Sequence, residues 1–335
     1  MLASFIEQRS QNPRKPPSAF VLASLMVAHV FFVRRFPSAG ESVKAERFYC
    51  EIGGKGLNVL VGLHKLGTPV DGIIPVGNNP AAQLQYLETL QKWELHTPEL
   101  LKLGEHNGTG VALINDTGQN EITLYPGANA LLDPSHIRAH ASRITQADIV
   151  YASFETPAPA ITETFLQAKH AGRLTILNPS PFHSISPVLL ASTDVLIMNQ
   201  TEAAEFFHVD ANTFHHTESA RLFLNRISFN QLHPGKSLVL TLSSEGAITI
   251  LENGQFTAHP AFRTEAIDSI GAGDAFASAF LHMLLSGQSI EKSMQAGCAS
   301  ASIVIGTSGL LHHLPTNMIL NSFIENHPPI SPGTQ

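Results

Sequence analysis

The chain has 335 residues, of which 43% are hydrophobic and 14% charged, so it can bury a large core and disorder is expected only at its ends. The formal net charge of −7 excludes a bulk basic field for nucleic acid, and an anionic ligand would have to be held by local dipoles and a few placed cations. Cys50 and Cys298 form no framework, which fits a reducing cytoplasm, and the adjacent pairs His215–His216 and His312–His313 lack zinc-site spacing.

Residues 1–17, with "QNPRKPP", read as a mobile N-terminal extension. "AFVLASLMVAHVFFV" (19–33) follows without a charge. As a helix it would span roughly 22 Å, short of the ~30 Å hydrocarbon core of a bilayer. Its Val, Phe and Leu runs predict instead a buried strand continuing into a second one, with no membrane partner. "GKGLNVLVGLHKLG" (54–67) is apolar at helical spacing and ends on Gly67. "VDGIIPVG" predicts a short buried strand, and "PAAQLQYLETLQ" a helix opened by Pro80.

Next, "GTGVALIND" and "NEITLYPG" flank "DTGQ" (116–119), the pattern of a hairpin. "ADIVYAS" (147–153), "LTILN" and "DVLIMN" predict buried strands, with a helix in "PAITETFLQAKHAG". "SLVLTL" (237–242) is another strand, and "AITILENGQFTAH" predicts a hairpin turning at Asn253–Gly254. The C-terminal third reads as helical. Continuous apolar strands alternating with amphipathic helices imply an α/β fold, a mostly parallel sheet covered on both faces. The early β pieces interrupt that scheme and are best placed in a small sheet beside it, as a lid.

"DSIGAGDAF" (268–276) carries the chemistry. Gly271, Ala272 and Gly273 open a helix with unhindered backbone N–H groups, and with the helix dipole these make an anion hole. An acid there, Asp274, would repel an anion unless it faced an incoming nucleophile, whose proton a carboxylate can accept. The alternative is a Gly-rich helix start with an ordinary first-turn acid. Two other phosphate signatures fail. "HPGKS" (233–237) would need glycine where Asn230 stands, and it precedes a strand. A dinucleotide GxGxxG would need glycine at Val59 or at Phe276.

"DSIGAGD" together with "GGKGLNV" (53–59) resembles the two signatures of the ribokinase-like (PfkB) carbohydrate kinases. "FPSAGESV", "GTGVALI", "YPGANALL", "LNPSP", "NQTEAAEF" and "GTSGLLHHLP" are similar to further family segments in the same order, so the resemblance covers about residues 19–325. It implies a ribokinase-like three-layer α/β sandwich with a small β-sheet lid. The chain would be one domain over 18–327, with lid segments near 28–52 and 107–127 and a tail at 328–335. It implies an ATP-dependent carbohydrate kinase, a phosphotransferase with an alcohol acceptor.

By the same resemblance, Asp274 is the general base and Gly271, Ala272 and Gly273 are the anion hole. Gly53, Gly54, Lys55, Asn58 and Glu155 hold the sugar, although Lys55 read alone is equally a solvated helix-start residue. Asn199 and Glu202 support Mg2+ through water. Thr241, Ser243, Gly246, Gly297 and Ser300 border the nucleotide, although small residues at Gly297 and Ser300 also suit tight helix packing. Backbone carbonyls near Asp268, Ile270 and Gly309 would hold K+. A homodimer through the lid is implied too.

The chain departs from the family at two places. Met26 and Ala28 stand where ribokinase has an Asn and an Asp that hold ribose hydroxyls, which points to a less hydroxylated or larger acceptor, such as a nucleoside. Ser243 and Glu245 replace a common glycine and a common basic residue of the nucleotide loop. These changes leave a second reading open, a catalytically weak member acting as a metabolite-binding regulator.

Overall fold

The computed structural model describes residues 1–11, 16–117, 119–307, 309 and 311–328. Among the described residues, thirteen strands form two sheets. Along the chain they are β1 (Ala19–Leu22), β2 (Met26–Phe32), β3 (Arg47–Gly53), β4 (Val70–Val76), β5 (Glu99–Lys102), β6 (Gly108–Ile114) and β7 (Asn120–Tyr125). They continue as β8 (Ile149–Ser153), β9 (Leu174–Asn178), β10 (Val195–Asn199), β11 (Ser237–Thr241), β12 (Ala247–Ile250) and β13 (Phe256–His259).

The main sheet runs β13-β12-β11-β10-β9-β8-β1-β4-β5. It is parallel from β11 to β5, and only β12 and β13 pair antiparallel. Strands β1, β8 and β12 are buried along their whole length, as expected of a sheet covered by helices on both faces. One apolar layer lies under helices Lys55–Lys65, Ala272–Leu285 and Ile290–Ile305. The opposite layer lies under helices such as Ala158–His170 and Thr217–Arg226.

The small sheet has the order β3-β2-β6-β7. Its outer pairs are antiparallel and β2–β6 is parallel. The apolar run 19–33 thus divides at Ala23–Leu25, giving β1 to the main sheet and β2 to the lid. The two predicted hairpins are present, β6–β7 and β12–β13. No helix among the described residues is long and apolar enough to cross a membrane.

The N-terminal segment differs from the sequence expectation of a mobile extension over 1–17. Leu2–Gln11 form a helix whose Leu2 is fully buried, with Ala3, Phe5 and Ile6 packed on the main core. Polar ties fix its ends. Glu252 accepts from the Met1 ammonium and from the Ala3 amide, and Arg9 pairs with Asp148 at 3.3 Å. A ten-residue segment of mixed composition carries no clear periodic signal, so its docking depends on a groove that only the folded body supplies. Residues 329–335 of the expected tail lie outside the described residues. Leu2→Ala should therefore lower stability by about 2–5 kcal/mol, the cost of truncating a buried leucine, measured by denaturant unfolding; a mobile segment would show no change.

Candidate active site

Two helix N-termini meet beneath the lid. The first is helix Lys55–Lys65, entered through Gly53–Gly54 at the end of β3. Gly54 sits at φ +113°, and a Cβ there would lie 2.6 Å from the Ser24 carbonyl oxygen. At Gly56 a Cβ would fall 2.4 Å from the Ala23 Cα. The glycines let this turn press against the chain where β1 passes into β2. The contact is also polar: Ser24 Oγ accepts from the Gly56 amide at 3.2 Å and donates to Glu155 Oε2 at 2.6 Å. Glu155 Oε2 also accepts from the Lys55 amide at 2.7 Å. Glu155, expected at the sugar, thus also anchors the first turn of this helix through Ser24 and the Lys55 amide.

The second is helix Ala272–Leu285, with Gly271 as its N-cap at φ +75°. Gly273 faces open space, while the Ala272 amide makes one long bond, 3.3 Å, to the Ser269 carbonyl. Asp274, in the first turn, is only 4% exposed. Asn58 Nδ2 donates to Asp274 Oδ2 at 2.7 Å and so joins the two helices. Burial pushes the Asp274 carboxyl up to about 6, against the opposing pull of Lys55 and the Asn58 hydrogen bond; Glu155 and Glu202 add to the rise. Burial would lower the Lys55 amine, but Asp274, Glu155 and Glu202 together hold it above its usual range. The site thus pairs a firmly charged ammonium with a carboxylate of raised basicity. Asn58 Oδ1 is buried with no partner, an acceptor facing toward Gly53.

A cleft of about 640 Å³ opens from this point. Lys55, Asn199, Glu202, residues 271–274, Thr241, Ser243 and Gly246 all line it, and Asn199 and Thr241 are neighbours across β10 and β11. Asn199 and Glu202 form a reciprocal capping box, the Glu202 amide donating to Asn199 Oδ1 and the Asn199 amide to Glu202 Oε2, each at 2.9 Å. Their spacing therefore has a local structural cause as well as a place on the cleft. Ser243 sits at φ +53°, a region that disfavours side chains by roughly 1–2 kcal/mol. Glycine would adopt that backbone conformation without the cost. Glu245 Oε2 accepts from the Thr217 amide at 3.3 Å.

Helix Ile290–Ile305 presents Cys298, Ala301, Ser302 and Ile305 to the cleft, one stripe at helical spacing. Gly297 and Ser300 fall outside that stripe. A Cβ at Gly297 would lie 2.7 Å from the Phe276 ring, so its smallness serves helix packing. Ser300 is fully buried. The sequence reading missed Arg263, Thr264 and Ser269, which line the cleft from an irregular loop whose placement no periodicity could reveal.

At the expected K+ position, Asp268 Oδ1 accepts from the Ile270 amide at 2.9 Å, and Gly309 approaches Glu51 instead. Ser308 and Leu310 in that segment lie outside the described residues. No cluster of three His, Cys, Asp or Glu with metal-binding geometry occurs among the described residues.

Comparison with known proteins agrees with this architecture. The ribokinase of Schizosaccharomyces pombe is 28% identical over 305 residues, covering 88% of this chain and 94% of its own. The deoxyribokinase of Salmonella typhi is 24% identical over 306 residues, covering 91% and 97%. Among solved structures, the ribokinase of Thermotoga maritima superposes with a TM-score of 0.77 at 25% identity, covering 93% of this chain and all of its own. Arabidopsis thaliana ribokinase, complexed with ribose and ATP, gives a TM-score of 0.81 at 23% identity, covering 92% and 99%. The model of the pfkB family carbohydrate kinases matches residues 17–317, and with both helix starts and the lid in place the chain belongs to that family.

Proposed function

We propose that this protein transfers the γ-phosphoryl group of ATP to a hydroxyl of a small sugar held beneath the lid. The observation that carries this reading is Asp274, a buried carboxylate with raised basicity in the first turn of an N-terminus built from small residues. The acceptor hydroxyl gives its proton to Asp274 as its oxygen bonds to the γ-phosphorus. The bond from that phosphorus to the β–γ bridging oxygen breaks, and ADP leaves. The amides of residues 271–273 face the charge on the transferred oxygens. Lys55 adds a cation in the same cleft, and Asn58 orients Asp274 while offering Oδ1 to an acceptor hydroxyl. Thr241, Ser243 and Gly246 would border the base and ribose of ATP. Glu202 would meet magnesium through water, and the carbonyls near Asp268 and Ile270 would meet K+. Titrating MgCl2 and KCl in an ADP-release assay checks both cation assignments.

The deprotonated form of Asp274 is the active one, so kcat/KM should fall as pH drops through about 6. Asn58→Ala removes a hydrogen bond that favours the charged form and should move this limb to higher pH. Asp274→Asn should cost at least ~100-fold, the low end for general-base catalysis, and full activity in that variant would defeat the mechanism.

The acceptor is less hydroxylated than ribose. Met26 lies on the lid strand opposite Gly53, its sulfur against Gly108 and 3.4 Å from Asn129 Nδ2. A thioether there cannot replace an amide as a hydroxyl partner. The enzyme should favour 2-deoxyribose over ribose in kcat/KM, and Met26→Asn should move the ratio toward ribose; equal ratios in both proteins would exclude this assignment.

Phe48, Val111 and Tyr125 are exposed on one face of the lid sheet, an apolar surface that a second copy of the lid would cover. Sedimentation velocity should give twice the 36.1 kDa chain mass, and Phe48→Asp should give monomer.

A further inference from the structure

We infer that the buried hydroxyl of Tyr151 holds an internal water beneath the two helix starts, and that through this water Tyr151 positions the Lys55 ammonium beside Asp274. The inference rests on the kinase reading above and gives it a positioning residue outside the cleft. Tyr151 stands in the middle of β8, between β1 and β9 in the interior of the main sheet. It is fully buried in the apolar layer under helices Lys55–Lys65 and Ala272–Leu285. Both helices begin at the candidate site, so the ring lies under its floor.

The Tyr151 hydroxyl has no hydrogen-bond partner among the described residues. Ser153, two positions on, faces the same side of the strand, and its Oγ is likewise buried and unpartnered among those residues. The two hydroxyls therefore do not satisfy each other. They stand about 7 Å apart along the strand, a span that one water can bridge. A buried hydroxyl left alone costs about 1–3 kcal/mol, and an internal water with two to four polar partners removes that cost. Ser153 pairs with Asn178 across β9, and Asn178 lines the cleft, so the two hydroxyls lead up to the site from below.

Charged groups from four elements face this position. They are Lys55 and Asp274 at the two helix starts, Glu155 in the turn after β8, and Glu202 in helix Gln200–Phe207. Asp274, Glu202 and Glu155 act on the Tyr151 phenol, and the same three carboxylates act on the Lys55 amine, so phenol and ammonium share one surrounding. Burial first, and those carboxylates after it, hold the phenol well above its usual range. It keeps its proton and serves as a fixed dipole. Lys55 has three ammonium N–H donors. A water on Tyr151 and Ser153 gives one of them an acceptor from below and leaves the others for phosphate oxygens. Asn58 holds Asp274 Oδ2 from the neighbouring helix, so ammonium and carboxylate are each tied by a separate contact.

Tyr151→Phe keeps the ring and removes one oxygen, so the core stays filled. In assays with MgATP its kcat should fall about tenfold, as on losing one hydrogen bond to a charged group. The acceptor KM should not change. The acid limb of kcat/KM should move to higher pH, because a looser ammonium opposes protonation of Asp274 less. Ser153→Ala should give the same two changes, and the double variant no further loss, since all three remove one water. A high-resolution crystal structure should show that water within hydrogen-bond distance of Tyr151 Oη and Ser153 Oγ, and Tyr151→Phe should lose it. Full kcat with an unmoved acid limb in Tyr151→Phe, losses that add in the double variant, or a wild-type structure without the water overturns the assignment. The crystallography is independent of turnover: a wild type that holds the water yet phosphorylates no sugar overturns the kinase reading instead.

Discussion

The 2.7 Å hydrogen bond from Asn58 to Asp274 is the constraint on which the site depends. It joins the first turns of two helices more than two hundred residues apart in sequence, and it does so where both side chains are almost wholly buried. Burial favours the protonated acid there, while Lys55 and the Asn58 hydrogen bond oppose it, and the carboxyl is raised to about 6. Packing sets the rest: helices Lys55–Lys65 and Ala272–Leu285 lie side by side on the main sheet, so a shift in either would break the bond.

The lid is tied into the same contact. Gly54 and Gly56 press onto Ala23 and Ser24, the point where the main sheet gives way to the lid. Ser24 and Glu155 then pin the start of helix Lys55–Lys65 from below. Asn129 adds a second clasp, accepting from the Leu25 amide and donating to the Leu25 carbonyl through one side chain, as a neighbouring strand would. The root of the small sheet is thus tied to the body by side-chain and backbone contacts from three segments.

Legibility in the sequence followed the range of the cause. The "DSIGAGD" and "GGKGLNV" segments were readable because their requirements are local: a helix start, small residues and one acid. Buried strands and the two hairpins were readable for the same reason, since hydrophobic runs and turn residues act over a few positions. The tie of Glu155 to this helix start was not legible because its partner, Ser24, lies 131 positions away. Gly297 and Ser300 were ambiguous because composition gives the character of a helix and not its rotation; only the packed structure turns Cys298 and Ala301 toward the cleft. The N-terminal helix left no clear signal because its docking depends on Glu252 and Asp148, residues of the far body.

Strand register has the same character. Across the ladder Met26 pairs with Gly53, Ala28 with Glu51 and Val30 with Tyr49. A one-residue slip of β3 would turn each of its side chains to the opposite face. That register is held by the tight turn at Gly53–Gly54, which cannot shift without carrying Asn58 away from Asp274. The bond between Asn58 and Asp274 thus also fixes the register of the strand that leads into it.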